Sequence, residues 1–190
     1  MNSNLEKKIG IFSGSFDPPH KGHVHISKIF LKKLKLDQVI WSVSKKNPLI
    51  KKKYYFNYNK RINLSKKITK KIKKISVTKI DRKYSYQLIN FLKKKYKKSK
   101  LFFLVGSDNL QKFHQWKNFK SILKSSTLVV ISRPGYDAKV KKSFFYKKYK
   151  NKLIKNYKNL NNNAEKSWFF IKDKGVKISS SKIKIALYSK

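Results

Sequence analysis

Short apolar runs recur along this chain, and longer segments of helical period separate them. The runs occupy residues 8–12, 39–43, 76–80, 101–105, 127–132 and 168–171, and the periodic segments occupy residues 23–34, 56–70, 85–97, 113–123 and 180–188. The runs are continuous instead of alternating with polar residues, which is typical of strands buried on both faces of a parallel sheet. The pattern predicts an α/β fold with a single doubly wound, Rossmann-like, mostly parallel sheet and helices on both of its faces.

The size of the chain fits one such sheet. Its 190 residues are 39% apolar, which is enough for one substantial core without disulfides or metal. There is no internal repeat and no evident linker, so we expect residues 1–190 to form a single domain. The segment 138–166 is rich in Lys, Asn and Tyr, and its weak apolar period favours an amphipathic helix over a disordered linker.

Three features of the sequence bear on where the protein resides. It contains no cysteine, and no apolar run approaches the roughly 18 residues that a membrane span requires. Residues 1–8 lack the apolar core of a signal peptide. The sequence therefore predicts a cytoplasmic protein that has no membrane partner.

The net charge of +42, from 50 basic and 8 acidic residues, is the most extreme property of the composition. Such a charge is typical of nucleic-acid-binding proteins. However, only Arg61, Arg82 and Arg133 are arginines. Arginine is the residue that forms bidentate hydrogen bonds with phosphates and with guanine edges. Abundant Lys, Asn, Ile, Phe and Tyr match what AT-rich codons impose on any solvated surface. We expect no dedicated nucleic-acid partner, and a lysine-rich nucleic-acid-binding module stays as an alternative from another class.

Residues 14–23 read Gly-Ser-Phe-Asp-Pro-Pro-His-Lys-Gly-His and follow directly on the first apolar run. A strand, a glycine turn and a helix start place free backbone N–H groups where they favour an anion. His20 and His23 lie on one face of the first helical turn, where their imidazoles can donate to phosphate oxygens. In the alternative interpretation this is only a tight turn, in which Gly14 supplies an unusual φ.

A second segment with phosphate-binding chemistry lies near the end of the sequence. Residues 178–184 read Ile-Ser-Ser-Ser-Lys-Ile-Lys before a helical pattern. The serines by themselves are explained by helix capping. Lys184, one turn into the helix, adds an ammonium group beside the free N–H groups and the hydroxyls, and this combination suits a triphosphate.

A third block follows the fourth apolar run. Gly106 and Asp108 lie at a strand end, and Phe113-His114-Gln115-Trp116 follows them. Together they would make a pocket for a flat ring, whereas in the alternative Phe113 and Trp116 are core aromatics of a short helix. Gly14, Gly106 and the turn at residues 132–135 all occupy strand carboxyl ends, so we expect them to border one crevice.

These segments carry a resemblance to known proteins. Residues 14–23 resemble the signature of the nucleotidyltransferase superfamily that has a His-x-Gly-His element. Residues 178–184 resemble its second signature, Ile-Ser-Ser-Thr-x-Ile-Arg, with Ser181 in place of Thr and Lys184 in place of Arg. The lysine keeps the charge but loses the two-pronged phosphate contact. With Tyr84-Ser85, residues 47–49 and residues 133–136, the chain resembles bacterial nicotinate-nucleotide adenylyltransferases over nearly its whole length.

The resemblance implies a reaction and a set of binding residues. ATP and nicotinic acid mononucleotide would be the partners, Mg²⁺ would arrive with ATP, and the chain would supply no metal site of its own. It implies that His23 stabilises the transition state, that His20 positions phosphate, and that ATP is bound by Gly14, Ser15, Phe16, His20, His23, Gly106, Asp108, Arg133, Ile178, Ser179, Ser180, Ser181 and Lys184.

For the acceptor, the resemblance implies that Trp116 stacks on the nicotinate ring and that Ser85, beside Tyr84, helps to hold its carboxylate. The family usually has Lys directly after Asn-Pro-Leu, but Ile50 intervenes here, so either Lys46 or Lys51 would supply that charge. Two alternatives within the superfamily remain open. One is a preference for nicotinamide mononucleotide, since Ser85 replaces a threonine, and the other is a sister enzyme that uses phosphopantetheine or makes a cytidylyl product.

Overall fold

The strands form one seven-stranded sheet in which every neighbouring pair is parallel. A computed structural model of the chain describes residues 6–46, 54–133, 135–157 and 167–173, together with Ser180 and Ile183. The strands are β1 (Lys7–Gly14), β2 (Gln38–Val43), β3 (Ile75–Thr78), β4 (Ser99–Gly106), β5 (Thr127–Ile131), β6 (Leu153–Ile154) and β7 (Trp168–Ile171). Their spatial order is β3-β2-β1-β4-β5-β7-β6. The predicted parallel α/β fold is confirmed.

The helices connect these strands. They are α1 (Lys21–Lys33), α2 (Tyr58–Thr69), α3 (Ser85–Lys95), α4 (Ser107–Leu110), α5 (Phe119–Ser125), α6 (Asp137–Lys142) and α7 (Phe144–Tyr149), with 3₁₀ turns at Phe113–Gln115 and Lys150–Lys152. The chain builds outward from β1 to β3 and then returns to place β4 on the other side of β1. This reversal opens a crevice between the carboxyl ends of β1 and β4, where open α/β sheets bind their ligands.

Apolar side chains cover the sheet on both faces. On one face Leu88 of α3 and Ile122 of α5 pack in a cluster that includes Phe103. On the other face Phe30 of α1 and Ile62 of α2 pack in a cluster that includes Leu104. Consecutive residues of β4 thus point into different clusters. Burial of both faces explains why the strand sequences are continuously apolar.

Two predicted helices differ from the structure. The segment 113–123 is divided into a 3₁₀ turn and α5, because Asn118 between them adopts a left-handed conformation with φ of 51°. The segment 138–166 contains α6, α7, a 3₁₀ turn and the two-residue strand β6, and its residues 158–166 lie outside the described ranges. A strand of two residues, held by pairing with β7, has no sequence period to reveal it.

Other expectations are tested only in part. Ser180 and Ile183 are helical, and the rest of the predicted helix 180–188 lies outside the described residues. Within the described ranges, no helix combines the length and apolarity needed to cross a membrane. The strands described belong to one sheet, whereas a single domain over residues 1–190 stays a prediction.

Candidate active site

A cavity of about 570 Å³ lies at the carboxyl ends of β1, β2 and β4, where the strand order reverses. Its volume is in the range typical of small-molecule sites. The segments that line it come from strand ends and from the loops and helix starts that follow them. The lining residues are Phe12, Ser13, Gly14, Ser15, Ser42, Ser44, Lys46, Ile80, Asp81, Arg82, Lys83, Tyr84, Ser85, Leu88, Leu104, Val105, Gly106, Asp108, Asn109, Lys112, Gln115, Trp116 and Lys117.

The turn from β1 into α1 fixes both histidines by backbone hydrogen bonds. His20 is the N-cap of α1, and its Nδ1 accepts from the backbone N–H of Gly22 at 3.1 Å. The Nδ1 of His23 accepts from the backbone N–H of His20, also at 3.1 Å, and the two ring centroids are 3.8 Å apart. Because both Nδ1 atoms are acceptors, these bonds assign the proton of each neutral ring to Nε2. Each imidazole therefore keeps a donor for a ligand.

Burial holds both imidazoles in the neutral form. It lowers the pKa of His20 to about 4, and the nearby Arg133 guanidinium contributes to that decrease. Burial also lowers the pKa of His23 well below its ordinary value, and His20 and Arg133 lower it further. A bound anion would favour the charged form of these rings. An anion bound beside the rings would therefore raise both pKa values.

The left-handed residue of this turn is Phe16, with φ of 46°, and not Gly14. The Phe16 ring is buried and stacks on Trp41, with centroids 4.6 Å apart and planes 12° from parallel. Phe16 therefore packs in the core beneath the turn, while Gly14 and Ser15 line the cavity. Backbone strain of this kind is maintained by the packing around it and is common at functional sites.

Gly106, Asp108 and Arg133 meet at the ends of β4 and β5. The Arg133 guanidinium forms an ion pair with the Asp108 carboxylate, and the Arg133 backbone N–H donates to Ser107 Oγ at 2.8 Å. A β-carbon at Gly106 would collide with the Asp108 carboxylate and lie 3.3 Å from Arg133 Cδ. A larger residue at this position would therefore displace the Asp108 carboxylate from its ion pair with Arg133. Arg133 also lowers the pKa values of His20 and His23. None of these three residues is among those that line the cavity, so they lie beside it.

Trp116 also lines the cavity. Its ring is partly buried and packs 5.3 Å from Phe113 and 6.1 Å from Phe103, measured between ring centroids. Phe113 is fully buried, as the core interpretation predicts, whereas Trp116 both packs on the core and lines the cavity. Tyr84 and Ser85 line the same space. The structure thus brings the three predicted acceptor residues that it describes to one cavity.

Positive side chains also line the cavity, and only Lys46 among them was predicted as a site residue from the sequence. The others are Arg82, Lys83, Lys112 and Lys117. Lys83 and Lys117 place their ammonium groups 5.5 and 5.0 Å from the centre of the Tyr84 ring. Lysine is so abundant in this chain that no sequence signal distinguished the three lysines, and Arg82 was noted only as one of three arginines. Their grouping favours an anionic acceptor.

The second signature is represented by one described residue. Ser180 Oγ donates to the carbonyl of Pro18 at 3.0 Å, which brings the start of that segment against the β1–α1 turn. Four predicted ATP-binding residues, Ile178, Ser179, Ser181 and Lys184, lie outside the described residues, as do Lys51 and residues 47–49. The contact at Ser180 is consistent with both signatures bordering one site.

Two buried charged residues near the cavity were not among the site residues predicted from the sequence. Arg61 and Asp17 are 1% and 3% exposed and hydrogen-bond to the backbone of the loops around the cavity. The rarity of arginine, with three in the whole chain, is the signal that could have pointed to Arg61.

A doubly wound parallel sheet, with a two-histidine helix start beside a cavity at the switch point, defines a nucleotide-binding α/β protein. Residues 11–186 match the cytidylyltransferase-like family. The chain is 40% identical over 189 residues to a protein of Pelagibacter ubique named probable nicotinate-nucleotide adenylyltransferase, covering 96% of each chain. A protein of the same name from Cereibacter sphaeroides is 30% identical over 182 residues, covering 93% of this chain and 95% of the relative.

The chain therefore belongs to the cytidylyltransferase-like family and, within it, to the nicotinate-nucleotide adenylyltransferases. The fold is also that of a solved structure, Plasmodium falciparum nicotinic acid mononucleotide adenylyltransferase complexed with NaAD. That structure superposes with a TM-score of 0.69 at 17% identity, covering 95% of this chain and 83% of the other.

Proposed function

We propose that this protein transfers the adenylyl group of ATP to nicotinic acid mononucleotide, giving nicotinic acid adenine dinucleotide and pyrophosphate in NAD biosynthesis. The relationship to nicotinate-nucleotide adenylyltransferases over 96% of the chain supports the choice of reaction. One structural observation supports placing the reaction at this site. A helix start with two neutral histidines borders the same strand ends as a cavity lined by Trp116 and a group of cations.

In this reaction an oxygen of the acceptor's 5′-phosphate attacks the α-phosphorus of ATP. The bond between that phosphorus and the bridging oxygen breaks, and its electron pair leaves with pyrophosphate. No covalent enzyme intermediate is required. Reactions of this type depend mainly on alignment and on stabilising charge at the transferred and leaving oxygens.

The histidines supply much of that stabilisation in our proposal. His23 donates from Nε2 to the phosphate oxygens on which charge develops, and His20 positions the phosphate chain. Hydrogen bonding of both Nδ1 atoms to backbone N–H groups supports this assignment, because it fixes each ring and directs its proton to Nε2. Arg133, close enough to lower the pKa of both histidines, adds positive charge on the same side.

The remaining ATP contacts follow from the position of each segment. Gly14, Ser15, Gly106 and Asp108 line the cavity, and Phe16 supports the turn from below. ATP enters as its magnesium complex, since Mg²⁺ commonly reaches such sites on substrate phosphates. We assign Ile178, Ser179, Ser180, Ser181 and Lys184 to the triphosphate, and the bond from Ser180 to Pro18 supports this assignment.

The acceptor mononucleotide occupies the half of the cavity that Trp116 borders. Trp116 stacks on the nicotinate ring, and Ser85 with Tyr84 holds its carboxylate end. We assign Lys46 to the phosphate of the mononucleotide, and its position on the cavity wall supports this choice. Lys51 is retained as the other candidate. The cations on this wall favour the acid mononucleotide over the neutral amide.

A pyrophosphate-release assay tests the reaction and its alternatives together. The purified protein is given Mg²⁺ and ATP with nicotinic acid mononucleotide, nicotinamide mononucleotide or phosphopantetheine, and CTP replaces ATP in a parallel set. We expect release with ATP and the acid mononucleotide, and weaker release with the amide. Release only with phosphopantetheine, or only with CTP, would contradict the proposal.

The expected compartment is the cytoplasm, and fractionation of cells that express the protein checks it.

A further inference from the structure

Arg61 on α2 is the most highly connected buried charge in the described part of the chain. Its side chain is 1% exposed, and its guanidinium donates four hydrogen bonds, all to backbone carbonyls. Nη1 donates to Ser15 O and to Ser44 O, both at 2.7 Å. Nη2 donates to Lys45 O at 3.2 Å, and Nε donates to Phe56 O at 3.1 Å.

The carbonyls that Arg61 contacts belong to three separate segments. Ser15 follows β1, Ser44 and Lys45 follow β2, and Phe56 directly precedes α2. Ser15 and Ser44 themselves line the cavity. A backbone hydrogen bond from Ser44 N–H to Gly14 O, at 2.9 Å, joins the first two segments beside the guanidinium. One side chain therefore ties the loop on the ATP half of the cavity to the loop on its acceptor half.

Asp17 makes the reciprocal connection. Its carboxylate lies in the β1–α1 turn and accepts from the backbone N–H groups of Tyr55 and Phe56, at 2.8 and 2.9 Å. The Tyr54 ring lies against the guanidinium, with Arg61 Cζ 4.2 Å from its centre. The turn thus holds the segment before α2, while Arg61 of α2 reaches back to hold the turn. Such doubly tied segments have little freedom to shift relative to one another.

We propose that Arg61 is a positioning residue for adenylyl transfer. It sets the distance between the loop after β1, which carries the phosphate-binding turn, and the loop after β2, which forms the acceptor wall. This inference rests on the function proposed above, because it concerns the alignment of those two substrates. In-line transfer is sensitive to such alignment, and a displacement of about 1 Å can cost roughly 100-fold in rate.

Lysine cannot replace this arrangement. A guanidinium offers five donors in a planar fork, whereas an ammonium is a point charge with three. In Arg61→Lys the charge and much of the side-chain bulk remain, but carbonyls of three segments can no longer be held together. We expect kcat to fall about 10- to 100-fold with each KM changed less than about threefold, since alignment matters most in the transition state.

The test compares Arg61→Lys with wild type in the pyrophosphate assay, and a thermal melt establishes that the variant is folded. Ser65→Ala is the matched control, because Ser65 is buried on the same helix and its hydroxyl has no hydrogen-bond partner among the described residues. We expect wild-type kcat in that control. A wild-type protein that releases no pyrophosphate would overturn the proposed function instead, so the two failures are distinguishable.

A second variant tests the position of the guanidinium directly. Arg61→Ala leaves a space that free guanidinium can enter, and we expect millimolar guanidinium chloride to raise its kcat, whereas equal concentrations of sodium chloride or urea do not. A folded Arg61→Lys protein with wild-type kcat would overturn the proposal. So would an unfolded Arg61→Lys protein, because the residue would then serve folding alone. If Arg61→Ala fails to fold, the Lys variant decides.

Discussion

His20 and His23 are two neutral imidazoles held in fixed positions at the start of α1. Two backbone N–H groups occupy their Nδ1 atoms, and burial with a neighbouring arginine keeps both rings uncharged. Hydrogen-bond donors that are fixed before substrate arrives need no reorganisation during the reaction. The most informative substitutions at the residue scale are therefore at these two positions.

Removing the His23 imidazole should lower turnover while the fold survives. His23→Ala deletes a donor to the oxygens on which charge develops, and the loss of one such donor typically costs about 100- to 1000-fold in kcat. Steady-state kinetics with saturating ATP and acceptor measure the change, and circular dichroism establishes that the variant is folded. Near-normal turnover in a folded His23→Ala protein would defeat the assignment.

The lowered pKa values predict a loss of stability in acid. In the unfolded chain both histidines take up protons as the pH falls below about 6.5, but in the folded protein His20 takes one up only near pH 4. Unfolding therefore becomes more favourable between these values, by up to about 1.4 kcal/mol per pH unit for each histidine. Urea titrations from pH 7.5 to 4.5 should show a steeper decline for wild type than for the double variant His20→Asn/His23→Asn. If the free energy of unfolding fell equally with pH in both proteins, the result would contradict this prediction.

At the scale of elements, the break between the 3₁₀ turn Phe113–Gln115 and α5 decides where Trp116 lies. The left-handed Asn118 interrupts what the sequence period predicts as one helix. Trp116 then packs on Phe113 and Phe103 and lines the cavity as well. In a continuous helix the helical period alone would set the direction of this ring, so the interruption contributes to placing Trp116 at the cavity.

Trp116→Ala should weaken acceptor binding more than ATP binding, because a stacking face is lost on one half of the cavity. Stacking of this kind contributes about 0.5–1.5 kcal/mol beyond buried area, so we expect the KM of the mononucleotide to rise at least severalfold. Phe119→Leu is the control, since Phe119 packs on Phe113 but does not line the cavity. An unchanged KM for the mononucleotide in Trp116→Ala would count against its role.

On the scale of the whole molecule, the lysines that end the crossover helices lie away from the cavity. Helices α1, α2 and α3 carry lysine in their last turns, where positive charge complements the helix dipole. In a parallel sheet the crossover helices run opposite to the strands. The last turns of these helices therefore lie beside the amino ends of the strands, on the side away from the cavity. These seven lysines, Lys32, Lys33, Lys66, Lys67, Lys93, Lys94 and Lys95, are therefore separate from the site.

This distribution predicts binding to polyanions that is weak, dependent on salt and independent of the active site. We expect affinity for duplex DNA at low ionic strength to fall steeply as salt rises to physiological concentration, because bound counterions are released by lysine contacts. Fluorescence anisotropy with a labelled duplex measures this affinity. The measurement is repeated with saturating ATP, which should leave the affinity unchanged. Micromolar or tighter affinity at physiological salt would revive the nucleic-acid-binding alternative.

The sequence located most of the elements and much of the site, for identifiable reasons. Continuous apolar runs marked six of the seven strands, and β6, at Leu153–Ile154, was missed because two residues carry no period. His20, Gly106 and Trp116 were found because histidine, glycine and tryptophan are scarce in this chain. The lysines on the cavity wall were missed because lysine is everywhere, and a side chain's neighbours depend on which loops meet.

The sequence by itself determined the α/β class, the strand-turn-helix with two histidines and the family, because these depend on local period and on residues close together in the chain. Only the tertiary structure decided how the histidines are held neutral, that Trp116 lines the cavity as well as packing on the core, and that Arg61 joins three loops. Those properties depend on burial and on backbone carbonyls that lie far apart in sequence. Carbonyls are present in every residue, so no pattern of side chains could have shown which of them Arg61 would bind.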